Sequence, residues 1–194
     1  MGRVAAQLAM SLDGFIADKN DGCDELFGFY GGGEVPLKLS EGFPELRVSR
    51  VTADLLQTAT EQTGATVVGR RLYDLTNGWN GHPGGEVPMV VLTHDPPTDW
   101  PRNGVPIHFV TEVEAAVAKA KELAGGKRVG IAGATATREV LDAGLLDEIV
   151  VSLVPVILGE GIPWLAGVKG PVRLSDPEVL EDNGVTHLRY SVLP

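Results

Sequence analysis

The chain has 194 residues, and its 16 Lys plus Arg against 26 Asp plus Glu give a formal charge of −10, which argues against nucleic acid or an anionic membrane surface as a partner. With 43% hydrophobic and 22% charged residues it has the composition of a folding globular chain and the length of a single domain, taken here as residues 1–194. Its 25 glycines stand well above the usual ~7%, so either many tight turns or a close approach of backbone to a ligand is expected. One cysteine, Cys23, cannot make an internal disulfide, and no run approaches the ~18 apolar residues of a membrane span. The expected location is cytoplasmic.

Apolar runs alternate with helical patterns along the chain, which predicts an α/β layered fold. The first strand is expected at residues 3–10, followed by a turn-rich loop over 11–33 with room for one short helix. Thr52 is the expected N-cap of a helix carrying Leu55, Leu56 and Ala59, with Gly64 as its stop. A buried strand at 65–69 leads into about two helical turns at 70–75. Further strands are expected at 87–93 and 105–110, separated by a loop over 95–104 with three prolines. Thr111 and Glu114 form a candidate capping box for a helix over 112–124, ended by Gly125-Gly126. A strand at 128–132 passes through Gly133 into a helix bearing Val140 and Leu141, closed by Gly144. Residues 147–158 are rich in β-branched side chains, with Pro155 implying a bulge or an edge. Asn183-Gly184 predicts a hairpin turn before a final strand with Thr186, Leu188, Tyr190 and Val192 on one face.

Several chemistries lack their residues. There is no G-x-G-x-x-G dinucleotide fingerprint, no P-loop around Gly126-Lys127, no G-x-S-x-G elbow, and no His or Cys spacing suited to zinc, so no metal is expected. Three segments do carry ligand-binding chemistry. Gly69-Arg70-Arg71 places two forked guanidiniums at a helix start, where phosphate oxygens are favoured, although a solvated arginine pair has the same pattern. The run from Gly133 through Ala134, Thr135, Ala136 and Thr137 puts small side chains at a strand-to-helix junction, suited to a diphosphate or to a plain cap. Asp13-Gly14, next to Phe15 and Ile16, fits a turn or a pocket wall. All three fall at the carboxyl ends of predicted strands, where open α/β sheets bind ligands.

Taken in order, Ser11-Leu12-Asp13-Gly14, Gly69-Arg70-Arg71-Leu72-Tyr73-Asp74, Val91-Leu92-Thr93-His94, Gly130-Ile131-Ala132-Gly133, Gly144-Leu145-Leu146-Asp147-Glu148 and the run from Pro155 to Gly161 resemble the dihydrofolate reductase-like family. The resemblance is strongest to its branch containing the RibD C-terminal domain of riboflavin biosynthesis. It implies a mixed, mainly parallel sheet flanked by helices, with a C-terminal antiparallel hairpin. It further implies NADPH across the strand ends: Gly69, Arg70 and Arg71 at the phosphates, Thr93 and His94 near the adenosine, Gly133, Ala134, Thr135, Ala136 and Thr137 under the diphosphate, and Ala9, Ile16 and Ala17 around the nicotinamide. Asp13 would face the substrate as the catalytic candidate.

The activity implied is hydride transfer to a small pterin- or pyrimidine-like heterocycle, as in 5-amino-6-(5-phosphoribosylamino)uracil reductase or dihydrofolate reductase. A homodimer is expected through the β-rich segment from Glu148 and the terminal hairpin. Two departures stand out: Ala134 where the family usually has a second glycine, and Leu72 where many members carry threonine. They motivate the alternative of a non-catalytic nucleotide-binding or sensor module on the same fold.

Overall fold

The computed structural model describes residues 2–100 and 103–194. In chain order the elements are β1 (Val4–Ser11), β2 (Phe15–Ala17), α1 (Asp24–Phe27), β3 (Val35–Leu37), β4 (Leu46–Val48), α2 (Arg50–Gln62), β5 (Thr63–Gly69), α3 (Arg70–Leu75), β6 (Met89–Leu92), β7 (Ile107–Val110), α4 (Val113–Leu123), β8 (Arg128–Ala132), α5 (Ala134–Asp142), β9 (Glu148–Val154), β10 (Ile162–Pro163), β11 (Glu178–Asp182) and β12 (Val185–Ser191).

Eight strands form one sheet in the order β11-β12-β9-β1-β8-β5-β6-β7. From β9 to β7 every neighbouring pair is parallel, and β12 alone runs antiparallel to both its neighbours. The chain builds β5, β6 and β7 on one side of β1, then returns to insert β8 and crosses to β9 on the other. That reversal creates a topological switch point, the place where such sheets open a crevice at their strand ends.

Alternation along the strands sorts side chains to two unlike faces. One face carries Val4, Ala6, Val67, Val129, Ile131, Ile149 and Val151, packed against Ala116, Val117 and Ala120 of α4 and Ala136, Val140 and Leu141 of α5. This aliphatic layer is the main core, and truncating a member such as Ile149 to Ala costs about 2–5 kcal/mol. The other face, toward α2, holds Ala5, Gln7 and Ala9 of β1, Arg128, Gly130 and Ala132 of β8, and Glu148, Val150 and Ser152 of β9, mostly small or polar residues.

Several local expectations are corrected. The cap of α2 is Ser49, whose Oγ accepts from the Thr52 N–H at 3.0 Å, while Thr52 itself lies inside the helix. Gly64 belongs to β5 and stops nothing; a Cβ there would lie 2.5 Å from the Ala124 carbonyl, so it is needed for close packing under the end of α4. The Thr111/Glu114 capping box does not form: the N-cap of α4 is Glu112, without a side-chain hydrogen bond. Pro155 follows β9 instead of sitting within it. The loop over 11–33 contains strand β2 besides a short helix, and a hairpin of β3 and β4 precedes α2. Of the prolines in the 95–104 loop, Pro101 lies outside the described residues, as do Met1 and Arg102.

The terminal hairpin forms as expected, with Asp182 opposite Val185 and Gly184 at φ +79° closing the turn. Leu188 and Val192 pack on the main core, but Val185 and His187 are buried on the opposite face, so β12 is covered on both sides. β9 lies between β1 and β12 and is likewise buried within the sheet.

Candidate functional site

Strands β1, β8, β5 and β6 end side by side, and helices start at once after two of them. Gly69 is the N-cap of α3 and Gly133 the N-cap of α5, and neither helix start has a side-chain cap. The first amides of each helix therefore have no partner within it, which leaves donors facing the strand ends. The two starts touch: a Cβ on Gly69 would lie 3.6 Å from the Ala136 nitrogen and Cβ. Gly133 adopts φ +92° and ψ 152°, a conformation reserved for glycine. Its residue type is thus demanded by the backbone, since a Cβ would meet Leu72 only at an ordinary 3.5 Å.

Both arginines are engaged with protein. Arg70 Nε donates to both Asp74 oxygens at 2.8 and 2.9 Å, and its Nη1 donates to the Asp95 carbonyl. Thr93 is buried, and its Oγ1 accepts from the Asp95 N–H at 3.1 Å, so Arg70 and Thr93 meet through one loop residue. His94 beside them is exposed. Arg71 makes a two-pronged pair with Asp21, Nε to Oδ1 at 3.0 Å and Nη2 to Oδ2 at 2.8 Å. Asp21 sits in a tight turn built by Asp18, whose Oδ1 accepts from the N–H groups of Asn20 and Gly22.

Within α5 the candidates separate. Thr135 is exposed, whereas Ala134, Ala136 and Thr137 are buried. The Thr137 hydroxyl donates to the Gly133 carbonyl at 2.8 Å, a bond within the first turn of the helix.

At Asp13 both carboxylate oxygens accept hydrogen bonds. Oδ1 accepts from Ser11 Oγ at 2.6 Å and from the Leu158 N–H at 3.2 Å, and Oδ2 accepts from the Gly159 N–H at 2.7 Å. The Ser11 hydrogen bond, backed by those of Gly159 and Leu158, outweighs the opposing effect of burial and holds the carboxyl below its ordinary 3.8. Asp13 is therefore an ionised anchor joining the β1–β2 turn to the segment after β9. Ala9 packs with Leu26, Val154 and Val185, while Ile16 packs on the opposite, main core; Ala17 is buried in β2, paired with β10. Among the described residues no group of three or more His, Cys, Asp or Glu is placed to hold a metal ion.

Beneath α2 the small side chains leave a cavity of about 180 Å³ along β8, lined by Ala5, Gln7, Thr60, Thr66, Arg128 and Ala132 among others. The sequence reading missed it, as it missed Asp21 and Asp95, because only tertiary packing sets them against β8, Arg71 and Arg70. The signal for the cavity was the short side chains of Ala5, Gly130 and Ala132 on one face of neighbouring strands.

The family model for the RibD C-terminal domain matches residues 3–188. No curated protein matches the chain. Among solved structures it is similar to a protein of Shewanella sp. PV-4 described as a riboflavin biosynthesis protein, at 22% identity over 99% of both chains with a TM-score of 0.72. It is similar to Acinetobacter baumannii RibD at 16% identity and TM-score 0.65, where it spans its own full length but 58% of that chain. It is also similar to Enterococcus faecalis dihydrofolate reductase complexed with NADP(H), at 17% identity over 100% and 98% of the two chains with a TM-score of 0.61. The shared architecture is the dihydrofolate reductase-like fold.

Proposed function

The chain belongs to the RibD C-terminal domain family, and from that we propose that it is an NADPH-dependent reductase of a small pterin- or pyrimidine-like heterocycle, of the riboflavin-biosynthesis type. The observation that carries this reading is the convergence of two uncapped helix starts, after Gly69 and Gly133, beside the Arg70 and Arg71 guanidiniums. Free amide donors and forked cations at adjacent strand ends suit a dinucleotide diphosphate and an additional phosphate. The fit is consistent with Ala134, which is buried and belongs to the main core.

A nicotinamide bound there supplies a hydride, the two-electron reductant for a C=N or C=O carbon. The chain's own residues bind and orient. The amides of Ala134 and Thr135 and exposed Thr135 Oγ1 hold the diphosphate, Arg71 takes the 2′-phosphate, Arg70 stays braced by Asp74 and Asp95, and Thr93 and His94 border the adenosine. Ala9 and Ala17 contribute apolar walls toward the nicotinamide, with Ile16 behind them. Asp13 fixes the loop that covers the substrate end, and its low proton affinity leaves water to deliver the proton. Titration calorimetry with NADPH and NADH tests the reading: preference for NADPH and its oxidation with a pterin or pyrimidine acceptor are expected, and no binding of either overturns it. Binding without turnover across such acceptors favours the sensor module instead, a reading supported by both guanidiniums already having carboxylate partners.

A homodimer belongs to the same proposal, through the outer hairpin, whose edge strand β11 exposes Val179. Light scattering at several concentrations decides it. The expected location is the cytoplasm; no described helix is long and apolar enough to cross a membrane.

A further inference from the structure

At the amino ends of the central strands, far from the arginines after β5, lies a second cationic group. Glu148, buried at the start of β9, meets three guanidiniums: Arg3 at 3.3 Å, Arg128 at 3.6 Å and Arg189 at 4.0 Å. Arg189 also reaches Glu178 at 3.1 Å, so three cations share two carboxylates. In a chain of charge −10 this is a local excess of positive charge.

Arg128 is the most enclosed of the three, with a side chain only 11% exposed, and its buried Nε has no hydrogen-bond partner. Leaving such a donor unmet costs free energy, about 1–3 kcal/mol or more for a charged group. Arg128 also lines the cavity under α2, together with the polar residues Gln7 and Thr66. Burial, then the neighbouring Arg189 and Arg3, press the guanidinium toward losing its charge, with Glu148 opposing them. An incoming anion would relieve that repulsion.

We propose that the cavity beneath α2 is a binding site for an oxyanion, with Arg128 as its principal ligand and Gln7 and Thr66 completing it. The site is distinct from the helix starts after Gly69 and Gly133 and does not depend on the reductase reading. Arg128 and Ala132 are the two ends of β8, about 13 Å apart at ~3.3 Å per residue. The anion can therefore arrive free or as the tail of a ring-bearing compound that extends toward the strand ends.

The test is calorimetric titration with inorganic phosphate at ionic strength held constant with sodium chloride. Saturable binding is expected in the wild type, weakened about tenfold or more in Arg128→Gln, a change matching the loss of a charged hydrogen bond. The Arg70→Ala/Arg71→Ala double variant should retain it, and Arg128→Gln should retain NADPH binding. Phosphate binding that is lost in the double variant and kept in Arg128→Gln overturns the proposal, as does none beyond the chloride control. Should Arg128→Gln fail to fold, the Nε–H resonance of Arg128 in the wild type decides: it shifts on phosphate addition, or the site is refuted. Phenyl phosphate binding tighter than inorganic phosphate identifies a ring-bearing ligand, and equal affinities identify the free ion; either supports the site. Failure of the reductase reading would be seen separately, as absent NADPH binding.

Discussion

Arg71, in the first turn of α3, is held by Asp21, in the loop after β2, through two parallel hydrogen bonds of 3.0 and 2.8 Å. Because β8 lies between β1 and β5, this pair reaches across the strand ends from one side of the switch point to the other. The Arg71 side chain is 63% exposed, so the pair is worth no more than about 1 kcal/mol to the fold. A dinucleotide phosphate taking Arg71 must displace that carboxylate.

Asp21→Asn should therefore tighten NADPH binding by up to about fivefold, the equivalent of an exposed ion pair, and lower stability by no more than about 1 kcal/mol. Asn suits the position, where φ is +66°. NADH should gain less, because it lacks the 2′-phosphate. Calorimetry of both cofactors on wild type and variant measures the difference; equal gains would remove Arg71 from the 2′-phosphate.

The two helix-start glycines should respond in opposite ways. Gly133→Ala forces a Cβ into φ +92° and should cost about 1–3 kcal/mol in urea denaturation. Gly69→Ala sits at φ −70° with only ordinary contacts, so its stability should change by less than about 1 kcal/mol. NADPH affinity should nevertheless fall in Gly69→Ala, since the added methyl narrows the gap between the two helix starts. An affinity equal to wild type would show that no cofactor passes there.

Acid should weaken the protein in two stages. His187 is buried, with Nδ1 2.9 Å from Ser152 Oγ and Nε2 3.0 Å from Thr52 Oγ1, and burial lowers its pKa below 6.5 despite nearby Asp182. The unfolded chain then binds the proton more readily, so stability is complete above about 6.5 and declines as pH falls through the folded value. Burial alone would raise Asp182, but hydrogen bonds from Ser49, Thr52 and the Asn183 N–H hold it below 3.8, so a second loss follows at lower pH. Urea midpoints measured between pH 8 and pH 3 should show both, and His187→Gln should flatten the upper stage only.

Asp13→Asn should loosen a junction and leave proton transfer alone. The variant loses acceptor capacity for Ser11 Oγ and the Leu158 and Gly159 amides. Faster hydrogen exchange at those two amides is expected, with no change in the pH midpoint of turnover. A midpoint that disappears in the variant would assign Asp13 a role in proton transfer.

The sequence by itself determined the order of the main strands and helices of the sheet. Apolar periods of two and near four are local properties, and so are the breaks at Gly133, Gly144 and Asn183-Gly184, which is why β5, β8, α3, α5 and the terminal hairpin were legible. Ordered motifs carried the family as well. Tertiary structure decided how the site's charges are shared. Asp21 is fifty residues from Arg71, and Glu148 gathers Arg3, Arg128 and Arg189 from three different strands or their flanks; no local pattern encodes such meetings. It also decided that Asp13 anchors a loop, since its partners Leu158 and Gly159 arrive only when the segment after β9 folds back over β1. Periodicity reports which face a residue shares, but hydrogen bonds and ion pairs form between residues brought together by the sheet's order, and that order is fixed only when the whole core closes.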